Sequence, residues 1–328
     1  MTEPNLTDQI AGAQAYEDLH VPALFEQWCP RVLDAAGVDT GHRVLDVACG
    51  TGVLAREAAV RVGAAGHVAG VDPGRGMLAV AEALAPDIEW QEAAAESLPY
   101  PDHRFDAVVS QFGLMFFSDR PQSLREMRRV LEPGAKLAVA VWESLENSDA
   151  YPIEVELLER MAGPAAADAL RAPFVLGDTD DLIALFEGAG LESVGVETAN
   201  GTARFPSIRA MVEADLRGWL PVMGVFLDEK RIQNILEEAE TALAQYVAEN
   251  GEVGGRAGAR HRALFGDEAV DGGGDARVPA EIEGRVGADR CAARGREGRV
   301  VRAPGEAEVR DLHIALGGLD EGRGFDVS

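Results

Sequence analysis

The sequence predicts an α/β fold in which helices cover both faces of a doubly wound, mostly parallel sheet. Short apolar runs alternate with stretches of helical periodicity across residues 43–198. The first run, residues 43–47, leads into a glycine-rich turn and then into a helix over residues 53–62. A strand, such a turn and a helix N-terminus together form a cradle for a small ligand at the carboxyl edge of a parallel sheet.

The turn after the first strand depends on Gly50 and Gly52. Glycine suits this place because a Cβ would push a bound ligand away from the backbone N–H groups. Gly63 ends the helix that follows, as glycine commonly does. We therefore expect a small ligand to lie directly on the backbone of the turn.

Two classes of ligand suit this cradle. The spacing of Gly50, Gly52 and Ala55 fits the loose dinucleotide pattern G-x-G-x-x-A, which is weak evidence by itself. Asp46, at the end of the strand, favours another ligand, because its carboxylate would repel a pyrophosphate and attract an ammonium group. S-adenosylmethionine offers an ammonium group to Asp46 and a carboxylate to the helix N-terminus. A nicotinamide-dependent oxidoreductase is the less favoured alternative.

Residues 44–52, Val-Leu-Asp-Val-Ala-Cys-Gly-Thr-Gly, resemble the first motif of the class I S-adenosylmethionine-dependent methyltransferases. Within that class the chain is most similar to the branch that includes the ubiquinone/menaquinone-biosynthesis methyltransferases. The resemblance covers about residues 8–250 and is strongest over residues 43–142. It implies S-adenosylmethionine as the cofactor and in-line transfer of a methyl group to a small-molecule acceptor. The alternative is a non-catalytic module that only binds the cofactor.

The resemblance also implies which residues bind the cofactor. We expect contributions from four segments: Asp46, Ala48, Cys49, Gly50, Thr51 and Gly52 after the first strand, Asp72, Pro73 and Met77 beside the ribose and adenine, Ala94, Ala95 and Glu96 in the adenine loop, and Gln111 and Phe112 beside the methionine moiety. Asp72 ends the second strand about 20 positions beyond the glycines, where a carboxylate accepts hydrogen bonds from both ribose hydroxyls. Alternatively, Asp72 only caps the helix that follows.

Ala94 departs from the family pattern. Members of the family usually carry an aspartate there, which accepts a hydrogen bond from the adenine amino group. Loss of one such bond costs on the order of 1 kcal/mol. Glu92 and Glu96 are the candidates to compensate. We therefore expect weakened rather than abolished binding of the cofactor.

The remaining elements follow the family order. Further strands are predicted at residues 67–72, 88–92, 105–111, 134–142 and 191–198. Further helices are predicted at residues 11–19, 21–36, 74–84, 120–131, 149–161, 165–171, 180–188, 208–220 and 228–248. In the family, helices of this kind lie over the mouth of the cofactor site, so we expect them to shape the acceptor pocket.

The sequence assigns no catalytic residue. Members of the family often carry a histidine after the fourth strand, where this chain has Met115-Phe116-Phe117, an apolar run that either walls a pocket or packs the next helix. Candidate bases near the mouth are Tyr16, His20 and His103, although a histidine is more often simply solvated. Five large side chains either line a pocket or pack the core, and core packing is favoured for each: Tyr16, Trp28, Tyr151, Trp219 and Met223.

Composition and charge limit the kinds of binding partner that we expect. The formal net charge of -26 disfavours nucleic acid and anionic membranes as binding partners. No long apolar run or signal peptide is found, so we expect no membrane insertion. Cys29, Cys49 and Cys291 are isolated, which indicates a reduced, cytoplasmic protein and predicts no metal site. The oligomeric state is left open.

The sequence divides into two regions. Residues 1–253 are predicted to form the methyltransferase domain, with a cofactor-binding core at about 40–145 and substrate-shaping helices at about 8–37 and 146–250. Residues 254–328 contain 16 Gly and 12 Arg but no Lys, Trp or Tyr. Such a composition is typical of a disordered, low-complexity tail. The alternative is that the tail is an out-of-frame translation of GC-rich DNA.

The sequence pattern does not show one strand that the family resemblance implies. A last antiparallel strand is expected after the final helix, and Glu252-Val253 matches its beginning, but the pattern then stops. Residues 312–316 are a weak strand candidate within the tail.

Overall fold

A seven-stranded sheet organises the computed structural model, which describes residues 5–247 and 260–268. The strands are β1 (Arg43–Val47), β2 (His67–Asp72), β3 (Glu89–Glu92), β4 (Phe105–Gln111), β5 (Leu131–Trp142), β6 (Leu191–Asn200) and β7 (Arg260–Glu268). Their order is β3-β2-β1-β4-β5-β7-β6. The first five strands run parallel, whereas β7 is antiparallel to both β5 and β6. This arrangement confirms the predicted fold class.

Helices connect the strands and extend the domain at both ends. They are α1 (Leu6–His20), α2 (Cys29–Ala35), α3 (Val53–Val62), α4 (Arg75–Leu84), α5 (Arg120–Val130), α6 (Tyr151–Ala162), α7 (Pro164–Arg171), α8 (Thr179–Gly188), α9 (Ile208–Ala214), α10 (Leu220–Val222) and α11 (Glu229–Ala242). Among the described residues, no helix combines the length and the apolar character that crossing a bilayer requires.

The central strand β1 lies between β2 and β4. Its residues Val44, Leu45 and Val47 are completely buried, as the apolar run predicts. The chain leaves β1 towards β2 through α3, whereas β4 lies on the other side of β1. The order of strands therefore reverses here, and a crevice opens at the carboxyl ends of β1 and β4, where doubly wound folds bind their ligands.

Two π-helical turns interrupt segments that the sequence predicts as continuous helices. The first, Val21–Phe25, follows α1, and the second, Asp215–Trp219, joins α9 to α10. At each turn a backbone N–H donates to a carbonyl five residues earlier, and a proline stands next to that donor. Because proline has no N–H, the normal helical ladder cannot continue through Pro22 or Pro221.

Strand β7 corrects the predicted domain boundary. It lies between β5 and β6, with residue pairs running from Lys136 opposite Asp267 to Trp142 opposite His261. The domain therefore extends beyond residue 253. Only three apolar residues occur together in this strand, so hydrophobic patterning does not reveal it, and pairing of the backbone on both sides defines it instead. The candidates at residues 252–253 and 312–316 lie outside the described residues.

Candidate functional site

A cavity of about 660 Å³ opens at the carboxyl ends of β1 and β4. The structure brings together, along its walls, every residue predicted to bind the cofactor except Gly52. Those residues come from four different loops: Asp46, Ala48, Cys49, Gly50 and Thr51, then Asp72, Pro73 and Met77, then Ala94, Ala95 and Glu96, and finally Gln111 and Phe112. We call this space the cofactor cavity.

The two glycines of the first turn have different physical roles. Both have left-handed backbones, with φ of +54° at Gly50 and +86° at Gly52. A Cβ on Gly50 would meet no atom within 4 Å, which agrees with a residue whose backbone faces open space. A Cβ on Gly52 would lie 2.5 Å from the indole ring of Trp90. Packing against Trp90 therefore requires Gly52, and this residue does not line the cavity.

Asp72 links the loops that follow β1 and β2. Its Oδ2 accepts a hydrogen bond from the Gly50 N–H at 2.9 Å, and its Oδ1 accepts one from the Gly74 N–H at 2.7 Å. Burial raises the pKa of the Asp72 carboxyl, and these two N–H donors oppose that rise. The bond from Gly74, the residue before α4, agrees with the capping alternative, while the bond from Gly50 adds a contact to the loop after β1. The ribose role of Asp72 stays a prediction.

Asp46 is a buried carboxylate that lacks a full set of partners. Only 1% of the residue is exposed, and its Oδ2 has no hydrogen-bond partner among the described residues. Burial, the largest effect, raises its pKa well above the ordinary value of 3.8, while a hydrogen bond from the backbone of Ala55 opposes the rise. A buried acceptor without a partner is unfavourable by itself. An ammonium group of a ligand would satisfy it, so this residue fits the predicted cofactor.

The two glutamates expected to compensate for the missing aspartate at Ala94 both have partners within the protein. The Glu96 Oε1 accepts hydrogen bonds from the backbone N–H groups of Ser118 at 2.8 Å and Asp119 at 3.1 Å. Glu96 thereby fixes the start of α5. Glu92 does not line the cofactor cavity, and its Oε2 lies 3.5 Å from the Arg75 side chain. Glu96 does line the cavity, so compensation by Glu96 stays a prediction.

The residues after β4 form the opposite wall. The side-chain amide of Gln111 donates to the carbonyl of Phe25 at 3.2 Å, which ties β4 to the first π-helical turn. Phe112 has a left-handed backbone, with φ of +57°, and its ring stacks on Trp142 with centroids 4.4 Å apart. The Phe112 ring lines the cofactor cavity and also a second space.

That second space, which we call the aromatic chamber, has a volume of about 50 Å³. Five side chains line both the chamber and the cofactor cavity: Tyr16, Phe25, Phe112, Phe116 and Trp219. The rest of the chamber is lined by His20, Leu24, Trp142, Tyr151, Leu170, Pro173, Phe174 and Asp215. The chamber thus adjoins the place where the methionine end of the cofactor is predicted to lie.

The structure decides between the alternative roles of several large side chains. Six of them line the cavity or the chamber: Tyr16, Phe116, Phe117, Tyr151, Trp219 and Met223. For these, core packing is not the only role. Trp28 is buried against Gly201 and lines neither space, so the packing alternative holds for it. Met115 is also buried outside both spaces.

The two candidate histidines occupy different environments. His20 is buried, with its Nε2 3.2 Å from Asp215 Oδ1, so the expectation of a solvated histidine is wrong here. His103 is exposed near the amino end of β4, and its Nδ1 lies 2.9 Å from the Leu131 carbonyl oxygen. That is the edge of the sheet opposite the cofactor cavity. Sequence reasoning missed Asp215, because residues 208–220 contain two acids, Glu213 and Asp215, and nothing in the pattern separates the buried one from the other.

Comparisons with known proteins agree with this geometry. A family model described as a methyltransferase domain matches residues 44–134. The ubiquinone/menaquinone biosynthesis C-methyltransferase UbiE of Cupriavidus necator is 36% identical over 213 residues, covering 58% of this chain and 88% of that protein. The 2-phytyl-1,4-naphtoquinone methyltransferase of Trichormus variabilis is 36% identical over 145 residues, which are 42% of this chain and 63% of that protein.

Solved structures show the same fold. The YcgJ protein of Bacillus subtilis superposes with a TM-score of 0.50 at 20% identity, covering 74% of this chain and 98% of that one. A phosphoethanolamine N-methyltransferase of Haemonchus contortus, solved with S-adenosylhomocysteine, gives a TM-score of 0.53 at 17% identity, covering 82% and 60%. The chain therefore belongs to the class I S-adenosylmethionine-dependent methyltransferases, resembles their ubiquinone/menaquinone-biosynthesis branch, and has S-adenosylmethionine as its cofactor.

Proposed function

We propose that this methyltransferase transfers the methyl group to a small-molecule acceptor by in-line displacement. The observation that carries the proposal is the unpartnered Oδ2 of buried Asp46, inside a cavity that adjoins the aromatic chamber. The arrangement offers one site to the amino-acid end of the cofactor and a neighbouring apolar site to an acceptor. The names of the relatives, a quinone-biosynthesis C-methyltransferase and a naphthoquinone methyltransferase, support a small organic acceptor.

Each part of the cofactor cavity suits one part of the cofactor. Asp46 attracts the ammonium group, and the turn at Gly50 with the N-terminus of α3 attracts the carboxylate. Asp72 accepts from the ribose hydroxyls with the lone pairs that its two backbone donors leave free. The backbone of Ala94 and Ala95 contacts the adenine edge.

The bound cofactor supplies an activated methyl group on a positively charged sulfur. The chain contributes position and shielding rather than a covalent nucleophile. Phe112 and Trp219 separate the cofactor cavity from the aromatic chamber and exclude water from the boundary between them. An acceptor that enters the chamber is thereby held next to the methionine end of the cavity.

Calorimetric titration with S-adenosylhomocysteine, with NADH as the comparison, tests the cofactor site. We expect micromolar binding of the first and no binding of the second. Binding of NADH alone would contradict the proposal and favour the nicotinamide alternative. No binding of either would show that the cavity is not a working cofactor site.

A screen of acceptors tests whether the chain is an enzyme or a binding module. The protein is incubated with S-adenosylmethionine and a panel of phenols, amines and carbon acids, and release of S-adenosylhomocysteine is measured. We expect turnover with at least one small organic acceptor. Tight cofactor binding without turnover on any member of the panel would favour the non-catalytic module.

A further inference from the structure

Three ionisable side chains form a buried cluster at the end of the aromatic chamber. His20, Asp215 and Glu154 are 2%, 3% and 0% exposed. The His20 Nε2 lies 3.2 Å from Asp215 Oδ1, and Asp215 in turn contacts Glu154. Among the described residues none of the three forms an ion pair with Lys or Arg, and burial without such a partner is unfavourable unless protons are shared. We call this group the buried polar cluster.

The burial and the contacts of the three side chains bear on which of them carry protons. Burial, and then the negative charge of Asp215, raise the pKa of Glu154 well above its ordinary range, which favours its protonated form. Both carboxyl oxygens of Glu154 and the Oδ2 of Asp215 are buried without a hydrogen-bond partner among the described residues. The Nε2 of His20 faces the Oδ1 of Asp215 at 3.2 Å. In the tautomer that donates from Nε2, the lone pair of the imidazole lies on Nδ1, which is buried and has no hydrogen-bond partner in the described part of the chain.

Local backbone structure holds the cluster in place. His20 ends α1 immediately before the first π-helical turn, and Asp215 begins the second. A Cβ on Gly218, within the second turn, would lie 3.2 Å from His20 Nδ1 and 3.0 Å from its Cε1. Glycine at this position therefore gives the imidazole edge its room. π-helical turns of this kind are frequent at functional sites.

Aromatic rings and carboxyl groups from several elements surround the His20 imidazole. Tyr16 stacks on the imidazole from α1, with centroids 5.3 Å apart, and Phe25 stacks from the first π-helical turn at 6.4 Å. Asp215 faces the ring from the second turn, and α6 contributes Glu154 behind Asp215. His20 and Asp215 therefore line the chamber together, and the imidazole Nδ1 has no hydrogen-bond partner among the described residues.

We propose that His20 is the general base of the methyl transfer and that the acceptor is a neutral aromatic compound with a hydroxyl group in the aromatic chamber. The inference rests on the proposed function. The chamber is large enough for a small polar group, so the acceptor's hydroxyl lies beside His20 and its ring lies against the side chains shared with the cofactor cavity. Asp215 and Glu154 are positioning residues that fix the tautomer of His20.

The proposed step balances in atoms and charge. The acceptor oxygen forms a bond to the methyl carbon while the bond from that carbon to sulfur breaks, and sulfur keeps the electron pair. The acceptor O–H bond breaks, its electron pair stays on oxygen, and the proton goes to Nδ1 of His20. His20 becomes an imidazolium that Asp215 stabilises, and it later returns the proton to water.

The test uses 4-nitrophenol, a phenol whose ionisation changes its visible absorption, added to the full chain saturated with S-adenosylhomocysteine. We expect the ionisation midpoint of the bound phenol to fall by about one pH unit in the unchanged protein. His20→Gln should abolish this fall, since Gln can still donate to Asp215 but cannot take up a proton. Asp215→Asn should reduce the fall, and Glu154→Gln, which keeps a donor towards Asp215, should largely retain it.

Two controls separate a catalytic role from a structural one. His103→Gln, at the opposite edge of the sheet, should behave like the unchanged protein. His20→Gln should bind S-adenosylhomocysteine within about twofold of the unchanged protein, which shows that it is folded. With a phenolic acceptor from the screen, His20→Gln should lower kcat by about 100-fold or more and remove the acidic limb of the pH profile.

Either of two results would overturn the inference while leaving the proposed function intact. One is tight S-adenosylhomocysteine binding by the unchanged protein with no spectral change of 4-nitrophenol. The other is His20→Gln with the same phenol ionisation and the same pH profile as the unchanged protein. Failure of S-adenosylhomocysteine to bind at all would instead refute the proposed function.

Discussion

Asp72 accepts a hydrogen bond from the backbone N–H of Gly50, 2.9 Å away, across the two loops that begin the cofactor cavity. Its second oxygen accepts from the Gly74 N–H at 2.7 Å. The carboxylate at the end of β2 therefore fixes the turn after β1 before any ligand binds. A residue expected to contact the ribose thus also shapes the cradle for the amino-acid end of the cofactor.

This double role predicts a large effect of Asp72→Ala. We expect the affinity for S-adenosylhomocysteine, measured by calorimetry, to fall by about tenfold or more, which is 1.4 kcal/mol per decade. The melting temperature should also fall, since two backbone donors lose their acceptor. Glu92→Ala is the matched control. Glu92 lies on β3 opposite Asp72 on β2, but it does not line the cavity. Equal affinity in both variants would refute the role of Asp72.

Asp46→Asn should stabilise the ligand-free protein and weaken its binding of S-adenosylhomocysteine. Because the folded protein raises the pKa of Asp46 above its ordinary value of 3.8, the folded state holds the proton more tightly than the unfolded chain. The free energy of unfolding therefore falls as pH rises from 3.8 towards the raised value. Asn carries no such penalty, so it should stabilise the ligand-free protein by about 1–3 kcal/mol at neutral pH.

The gain from Asp46→Asn should shrink as pH falls towards 3.8 and should vanish only at about one pH unit below that value, where Asp46 is protonated in both states. Urea unfolding at several pH values measures this trend. At neutral pH the same variant should bind S-adenosylhomocysteine about tenfold more weakly, because the ammonium group loses its anionic partner. A variant that is less stable than the unchanged protein at neutral pH would contradict this account of Asp46.

Gly52→Ala should be more destabilising than Gly50→Ala. Both substitutions force alanine into a left-handed backbone, which costs about 1 kcal/mol each. Only the Cβ at position 52 collides with Trp90, so we expect a further loss of about 1–3 kcal/mol there. Thermal or urea unfolding measures both variants. In a Trp90→Leu background this excess should shrink by about 1 kcal/mol, and an unchanged excess would show that another contact is responsible.

Ala94→Asp should tighten the binding of S-adenosylhomocysteine. The Oε1 of Glu96, the candidate to compensate, is engaged by the start of α5, and Ala94 itself offers no side-chain acceptor. One recovered hydrogen bond is worth about 1 kcal/mol, or roughly fivefold in affinity. Ala94→Val, of similar bulk but without an acceptor, is the control. If both variants bind alike, the adenine amino group is recognised elsewhere.

The sequence predicts the cofactor half of this site well because that half is local. A strand, a turn and a helix start each have a short signature, and parallel strands bring their carboxyl ends to one edge. The residues from Asp46 to Thr51 and the later Asp72 could therefore be placed together without coordinates. Gly52 fits the same motif, yet its actual constraint, the Trp90 ring, comes from a strand almost forty residues later.

The acceptor half is not local, and sequence reasoning fails there for that reason. The contact between His20 and Asp215 joins residues 195 positions apart, and no periodicity encodes such a distance. The π-helical turns that carry them depend on tertiary packing as well as on the neighbouring prolines. A buried histidine and a solvated one look the same in sequence, so the candidate base could be named but not placed.

The last prediction concerns the removal of strand β7, which occupies the interior of the sheet rather than an edge. A chain that ends at residue 253 loses this strand, and the backbone groups of β5 from Lys136 to Trp142 then lose their antiparallel partner. Unpaired backbone in a buried strand is strongly unfavourable. We expect this shortened chain to unfold at a lower temperature and to aggregate, whereas a chain ending at residue 272 should melt like the full chain. Equal melting of both shortened chains would show that the sheet does not need residues 260–268 and would restore the boundary at residue 253.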